Sequence, residues 1–165
     1  MSSMSVLSSF RIEGRTALVT GSSRGIGRAI ALALAEAGAD VVVHSGGEVA
    51  EAESVASEIR RLGRRAAVVT ADLGESTAVD VIADACATLA PVLDILVLNA
   101  AVQIRKSWTT IELEDATTQI QVNLLSSLAL MQTFVPSMAV RGWGRALIIG
   151  SIQERKPHPE MAVYA

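Results

Sequence analysis

Aromatic side chains are nearly missing from this chain: two Phe, two Trp and one Tyr among 165 residues. A core built on stacked rings is therefore excluded, and Ala, Val, Leu and Ile must fill it, as in layered α/β proteins whose parallel strands are covered on both faces. Charge is also sparse, at 19% against 50% hydrophobic, which excludes a disordered chain. A net charge of -3 supplies no basic footprint for nucleic acid. The single cysteine, Cys86, excludes an internal disulfide; with Val79, Ile82 and Ala83 at helical spacing around it, it reads as a small buried hydrophobe. No uninterrupted apolar run reaches the ~18 residues of a membrane span, since Glu36 and Asp40 break the stretch from Ala29 to Val43. The opening segment MSSMSVLSSF has neither a basic region nor a long apolar one and does not read as a signal peptide. A cytoplasmic protein of one domain, residues 1–165, is expected, with no metal, membrane or nucleic-acid partner.

What is present is an alternation of short apolar runs with longer amphipathic ones. Strands are expected at Thr16–Thr20, Asp40–His44, Ala66–Thr70, Leu93–Leu98 and Arg145–Ile149. Helices are expected at Arg24–Ala37, with Ile26, Ile30, Ala33 and Leu34 as its apolar stripe, then at Glu48–Leu62, Ser76–Leu89 and Leu113–Ala139. Gly38 and Gly63 end the first two, and Pro136 should disturb the end of the last. Repeated β-α-β units with right-handed crossovers give a doubly wound parallel α/β sheet of the Rossmann type. Its order is 3-2-1-4-5, with helices on both faces and a switch point between strands one and four.

The first strand runs straight into Gly21-Ser22-Ser23-Arg24-Gly25-Ile26-Gly27, and the first helix starts among those glycines. Gly21 turns the chain off the strand, Gly25 lets backbone approach a pyrophosphate, and Gly27 lets the helix pack closely on the sheet. The free N–H groups and positive end of the helix dipole then face the phosphates of a dinucleotide.

The spacing G-x-x-x-G-x-G departs from G-x-G-x-x-G. Thr20-Gly21-Ser22-Ser23-Arg24-Gly25-Ile26-Gly27 resembles the T-G-x-x-x-G-I-G signature of the short-chain dehydrogenase/reductases. Further likenesses run the length of the chain. Asp72-Leu73 is similar to the family's pair after strand three, whose Asp holds the adenine amino group. Leu98-Asn99-Ala100-Ala101 is similar to its N-N-A-G, departing at Leu98 and Ala101. The resemblance implies that Gly21, Ser23, Arg24, Gly25, Ile26, Gly27, Ser45, Asp72, Leu73, Asn99 and Ala100 bind the cofactor. Ser45 stands where NAD-using members carry an acid, and Arg24 resembles the basic residue that holds a 2′-phosphate, so NADP is expected over NAD. His44 is read as a strand-end residue lining the adenosine site.

Asn123 lies inside the long helix, where an Asn side chain competes for backbone hydrogen bonds; in the family this Asn distorts the helix and holds a water of the proton relay. Ser151 follows the fifth strand, and Tyr164 follows it by thirteen residues, the family's separation. Hydride transfer to a carbonyl develops alkoxide charge on oxygen, so an acid must give a proton and a donor must steady the charge. Tyr164 suits the first task and Ser151 the second, with Asn123 completing the catalytic set. Gln153 is expected beside the substrate, a small alcohol or carbonyl compound that its donor and acceptor groups would suit if polyhydroxylated. The segment 151–159 is similar to that of sugar dehydrogenases in the family, and the N-terminal half to 3-oxoacyl-carrier-protein reductases.

The family's Y-x-x-x-K places a Lys, which activates the phenol, four residues after Tyr164, whereas the sequence stops at Ala165. The expectation is therefore double. One reading is the N-terminal two-thirds of an NADP(H)-dependent oxidoreductase: a shortened product, a cleaved piece or an incomplete sequence. The other is an inactive dinucleotide-binding fragment or sensor. Strand five would then offer Ala146-Leu147-Ile148-Ile149 as an exposed apolar edge, with poor solubility and no turnover for the isolated 165-mer. The resemblance implies a homotetramer for the parent, joined through the Asn-bearing helix and the following one; for this chain the oligomeric state is left open.

Overall fold

The computed structural model describes residues 10–165; the reading of the opening segment concerns residues almost wholly outside that range. Strands β1 (Thr16–Val19), β2 (Asp40–Ser45), β3 (Ala66–Thr70), β4 (Ile95–Leu98) and β5 (Arg145–Ile148) pair in parallel in the order β3-β2-β1-β4-β5. Helices α1 (Gly25–Glu36), α2 (Val49–Arg61) and α3 (Ala78–Leu89) make the crossovers of the first half. Helices α4 (Leu113–Ile120) and α5 (Ser126–Val140) make that of the second. The expected doubly wound α/β sheet is the one observed.

Side-chain alternation along the strands feeds two separate cores. Leu18, Val42, Val69, Leu96 and Leu98 point to one face and meet Ile82, Cys86 and Leu89 of α3 and Leu130, Phe134 and Met138 of α5. Ala17, Val19, Val41, Val43, Ile95 and Val97 point to the other and meet Ala31 and Ala35 of α1 and Ala52, Val55, Ala56 and Ile59 of α2. The expected stripe on α1 needs correction. Ile26 and Ala33 face solvent, and the buried line is Gly27, Ala31 and Ala35. At that spacing small side chains let the helix axis approach the sheet, while Ile30 and Leu34 flank the seam.

The expected single helix from Leu113 onward is continuous to Val140 but changes pitch. Gln121–Leu125 form a π-helical turn between α4 and α5. Pro136 does not end the helix. It sits on the solvent side, as does Gln132, whose carbonyl loses its helical partner to the proline. By length and composition this 28-residue stretch could cross a membrane, the one such helix among the described residues. Its Leu130, Phe134 and Met138 are instead spent on the sheet.

At the N-terminal end of the strands, buried Asp94 ties three elements together. It accepts from the Thr16 N–H at 3.1 Å and from Arg15 Nη1 at 3.2 Å, and Arg141 Nη2 lies 3.6 Å away. The Arg15 guanidinium stacks 3.7 Å from the centroid of Trp143, with Arg145 on the same ring at 5.1 Å. Among the described residues β5 lies at one edge of the sheet, where Leu147, Ile148 and Ile149 are 48%, 61% and 38% exposed.

Candidate active site

The C-terminal ends of β1, β2 and β4 converge at the glycine turn. Gly21 and Gly25 take left-handed backbone, with φ of +62° and +58°, which a residue with a Cβ adopts only under strain. Arg24 is the extended residue before α1, so the first N–H groups of the helix face outward from the turn. Gly27 answers a closer constraint than helix-to-sheet packing: a Cβ there would stand 2.3 Å from the Gly21 carbonyl oxygen and 2.5 Å from Asn99 Nδ2. Asn99 Nδ2 donates to the carbonyls of Thr20 (2.9 Å) and Gly21 (3.2 Å), so α1 seats directly on this knot.

A cavity of about 330 Å³ opens beside the turn, bordered by Gly21, Ser23, Arg24, His44, Ser45, Asp72, Leu73, Asn99 and Ala100 among others. Eight of the eleven cofactor residues expected from sequence are in that lining; Gly25, Ile26 and Gly27 form the adjoining start of α1. The cavity's chemistry fits a dinucleotide. Ser45 is 1% exposed, and its Oγ is buried with no hydrogen-bond partner among the described residues. At Gly25 a Cβ would meet nothing within 4 Å, which leaves open space over the helix start. Asp72 also accepts the Gly74 N–H at 2.8 Å, an Asx turn that fixes the loop bordering the cavity.

Asn123 occupies the middle of the π turn. Its Oδ1 accepts the Val102 N–H at 2.8 Å and its Nδ2 donates to the Val102 carbonyl at 2.9 Å, clamping the chain that leaves β4. Ser151 caps the short 3₁₀ turn Ile152–Glu154 by accepting the Gln153 N–H at 3.2 Å. Asn123, Ser151 and Tyr164 come together on a second cavity of about 200 Å³, with Ala100, Ala101, Ser127 and Ile149. Gln153 lies outside that lining, and its Oε1 accepts the His158 N–H at 2.8 Å.

Three residues hold the site in shape, two of which sequence reasoning passed over. Thr20 Oγ1 accepts the N–H groups of Asn99 (2.9 Å) and Ala100 (3.0 Å), joining the ends of β1 and β4. Ser22 Oγ donates to the Val19 carbonyl at 2.7 Å and accepts the His44 N–H at 3.0 Å. His44, read from sequence as lining the adenosine site, does border the cavity, but its ring is also a brace. Nδ1 accepts the Gly21 N–H at 3.0 Å, so the proton sits on Nε2, which donates to the Ala71 carbonyl at 2.9 Å. Burial pushes the imidazole below its ordinary 6.5, against the opposing pull of the Ala71 bond and the Asp72 charge. The one sequence signal for this network was polar residues at the ends of otherwise apolar strands. A third residue passed over is Glu48, which borders the first cavity from beyond Gly46 and Gly47.

Comparison with known proteins agrees with this geometry. Residues 15–165 match the short chain dehydrogenase family model. The chain is 34% identical over 166 aligned positions to an NADPH-dependent aldehyde reductase-like protein, chloroplastic, of Arabidopsis thaliana, covering 93% of the chain and 62% of that protein. It is 34% identical over 138 positions to L-rhamnose 1-dehydrogenase (NAD(P)(+)) of Sphingomonas sp. (strain SKA58), covering 83% and 54%. It superposes with a TM-score of 0.90 and 40% identity on a 3-oxoacyl (acyl-carrier-protein) reductase from Agrobacterium tumefaciens C58 with NADP bound, covering 99% of the chain and 63% of that structure. The chain thus spans between half and two-thirds of the length of these relatives. With the turn, the sheet order and the family match in agreement, the chain belongs to the short-chain dehydrogenase family.

Proposed function

We propose that the protein is an NADP(H)-dependent oxidoreductase of small alcohols and carbonyl compounds, with Asn123, Ser151 and Tyr164 as its catalytic set. The observation that carries this reading is a shared wall: Ala100 and Ala101 border both the dinucleotide-sized cavity and the one holding Ser151 and Tyr164. A nicotinamide dinucleotide bound in the first cavity would supply or accept the hydride next to the second. Ser23, the Gly25–Gly27 start of α1 and the Asn99-braced turn would hold its phosphates, and Asp72 would hold its adenine. Arg24, whose guanidinium matches phosphate geometry, would hold the 2′-phosphate.

The chain's own groups do the rest. The Ser151 hydroxyl donates to the carbonyl oxygen and steadies the charge that develops there. The Tyr164 phenol gives that oxygen its proton, and takes it back in the oxidative direction. Asn123 fixes the Val102 backbone and so the floor shared by the two cavities. Gln153 acts through the Ser151–His158 loop it pins, which borders the substrate side. The exposed Leu124, Leu125 and Leu128 on the outer side of the π turn and α5 support the homotetramer expected of the longer parent, joined through that helix.

Titration of the purified protein with NADPH and NADH tests the cofactor half, with tighter NADPH binding expected. Reduced-nicotinamide absorbance over a panel of aldehydes, ketones and sugars tests the reaction. In the longer parent, Tyr164→Phe should cut turnover about a hundredfold or more while NADPH still binds; full turnover in that variant would refute the role of Tyr164.

A further inference from the structure

We propose that Glu48 is a cofactor-discriminating residue, whose carboxylate opposes Arg24 across the adenosine end of the cavity and so keeps the site open to both NADPH and NADH. The inference rests on the dinucleotide reading above and goes beyond it. Strand β2 ends at Ser45, and Gly46 and Gly47 carry no side chain, so the next side chain met along the cavity rim is Glu48, the residue that leads into α2. Arg24, Ser45 and Glu48 therefore border one cavity as a cation, a neutral hydroxyl and an anion. Among the described residues neither Arg24 nor Glu48 makes a side-chain hydrogen bond or ion pair. The two charges flank the cavity without cancelling one another by contact.

Each charge favours a different nucleotide. A 2′-phosphate gains from the Arg24 guanidinium and loses against the Glu48 carboxylate. A ribose diol lacks that attraction, but it can donate to the exposed Glu48 carboxylate, which accepts. Glu48 is exposed, so its effect is screened and modest, and it grows as salt is lowered. The outcome is a site that leans to NADPH through Arg24 yet does not reject NADH.

Calorimetric or fluorescence titration of the purified protein with NADPH and with NADH, at low and high salt, reads this directly. The wild-type protein should bind the two within about tenfold of each other. Glu48→Gln should tighten NADPH by about three- to tenfold while leaving NADH unchanged or weaker, with the shift larger at low salt. Glu48→Lys should move the ratio further the same way, and Arg24→Gln should move it in reverse. An unchanged NADPH-to-NADH ratio in both Glu48 variants, with both nucleotides still binding, overturns the role of Glu48 and leaves the dinucleotide reading intact. Binding of neither nucleotide by the wild-type protein overturns the dinucleotide reading itself, and this inference with it.

Discussion

His44 accepts the backbone N–H of Gly21 at Nδ1, 3.0 Å across a sequence gap of 23 residues. A proton added at Nδ1 would turn that acceptor into a donor facing a donor. The folded state therefore favours the neutral ring, and burial holds its pKa below the ordinary 6.5. The unfolded chain takes up a proton near pH 6.5, and the folded chain only at lower pH. The His44 contribution is thus complete above pH 6.5 and is lost as pH falls below it. Denaturant midpoints should drop from pH 7 towards about 5, above most carboxylate titration. His44→Gln, which keeps an acceptor and a donor without titrating, should flatten that limb. A limb of equal slope in the variant would assign the effect elsewhere.

Gly27→Ala should be severe for one methyl group. The new Cβ would meet the Gly21 carbonyl oxygen at 2.3 Å and Asn99 Nδ2 at 2.5 Å. The first is backbone within a knotted turn and cannot swing aside. A stability loss of about 1–3 kcal/mol is expected from such overpacking, together with loss of nucleotide binding. Thermal unfolding with and without NADPH checks both, and a variant that still gains stability from NADPH would refute the second.

Cys86 should be inert to thiol reagents. Burial against the sheet pushes its pKa up to about 12, so almost no thiolate exists near neutrality. A chromogenic disulfide reagent at pH 8 should label it only as the protein unfolds. Prompt labelling of the native protein would mean that the α3 face opens readily.

In the isolated 165-residue chain, Ile148→Lys should reduce self-association. Ile148 is 61% exposed on edge strand β5, and a lysine on an open edge discourages strand-to-strand pairing. Light scattering against concentration should fall relative to the parent sequence. No change would show that β5 is not the sticky edge.

The strand order and the glycine turn were legible because both rest on local spacing, with apolar runs of strand length and three glycines at a strand-to-helix junction. The buried line of α1 was not, because counting apolar residues at helical spacing favoured Ile26 and Ala33. The short distance between helix and sheet instead selects Gly27, Ala31 and Ala35. Pro136 reads as a helix stop in any window, and only its place on the solvent side shows why the helix passes through it. The brace made by Thr20, Ser22 and His44 was out of reach for a different reason. Thr20 and Ala100 are 80 residues apart, and their hydrogen bond exists only after β4 is laid beside β1. Glu48 was hidden by the same logic: along the chain it lies beyond two glycines, while in space it stands on the rim of the cavity.

The two tryptophans report on opposite poles of the molecule. Trp143 is stacked against Arg15 at the N-terminal end of the sheet, and Trp108 stands 73% exposed on the loop that leads from β4 towards α4. Intrinsic fluorescence thus has two separable channels. A soluble quencher should silence Trp108 first and leave Trp143 as a clean optical gauge of whether the sheet itself is intact. Trp108→Phe would isolate that gauge, and Trp143→Phe would leave a single lamp on the loop between β4 and α4.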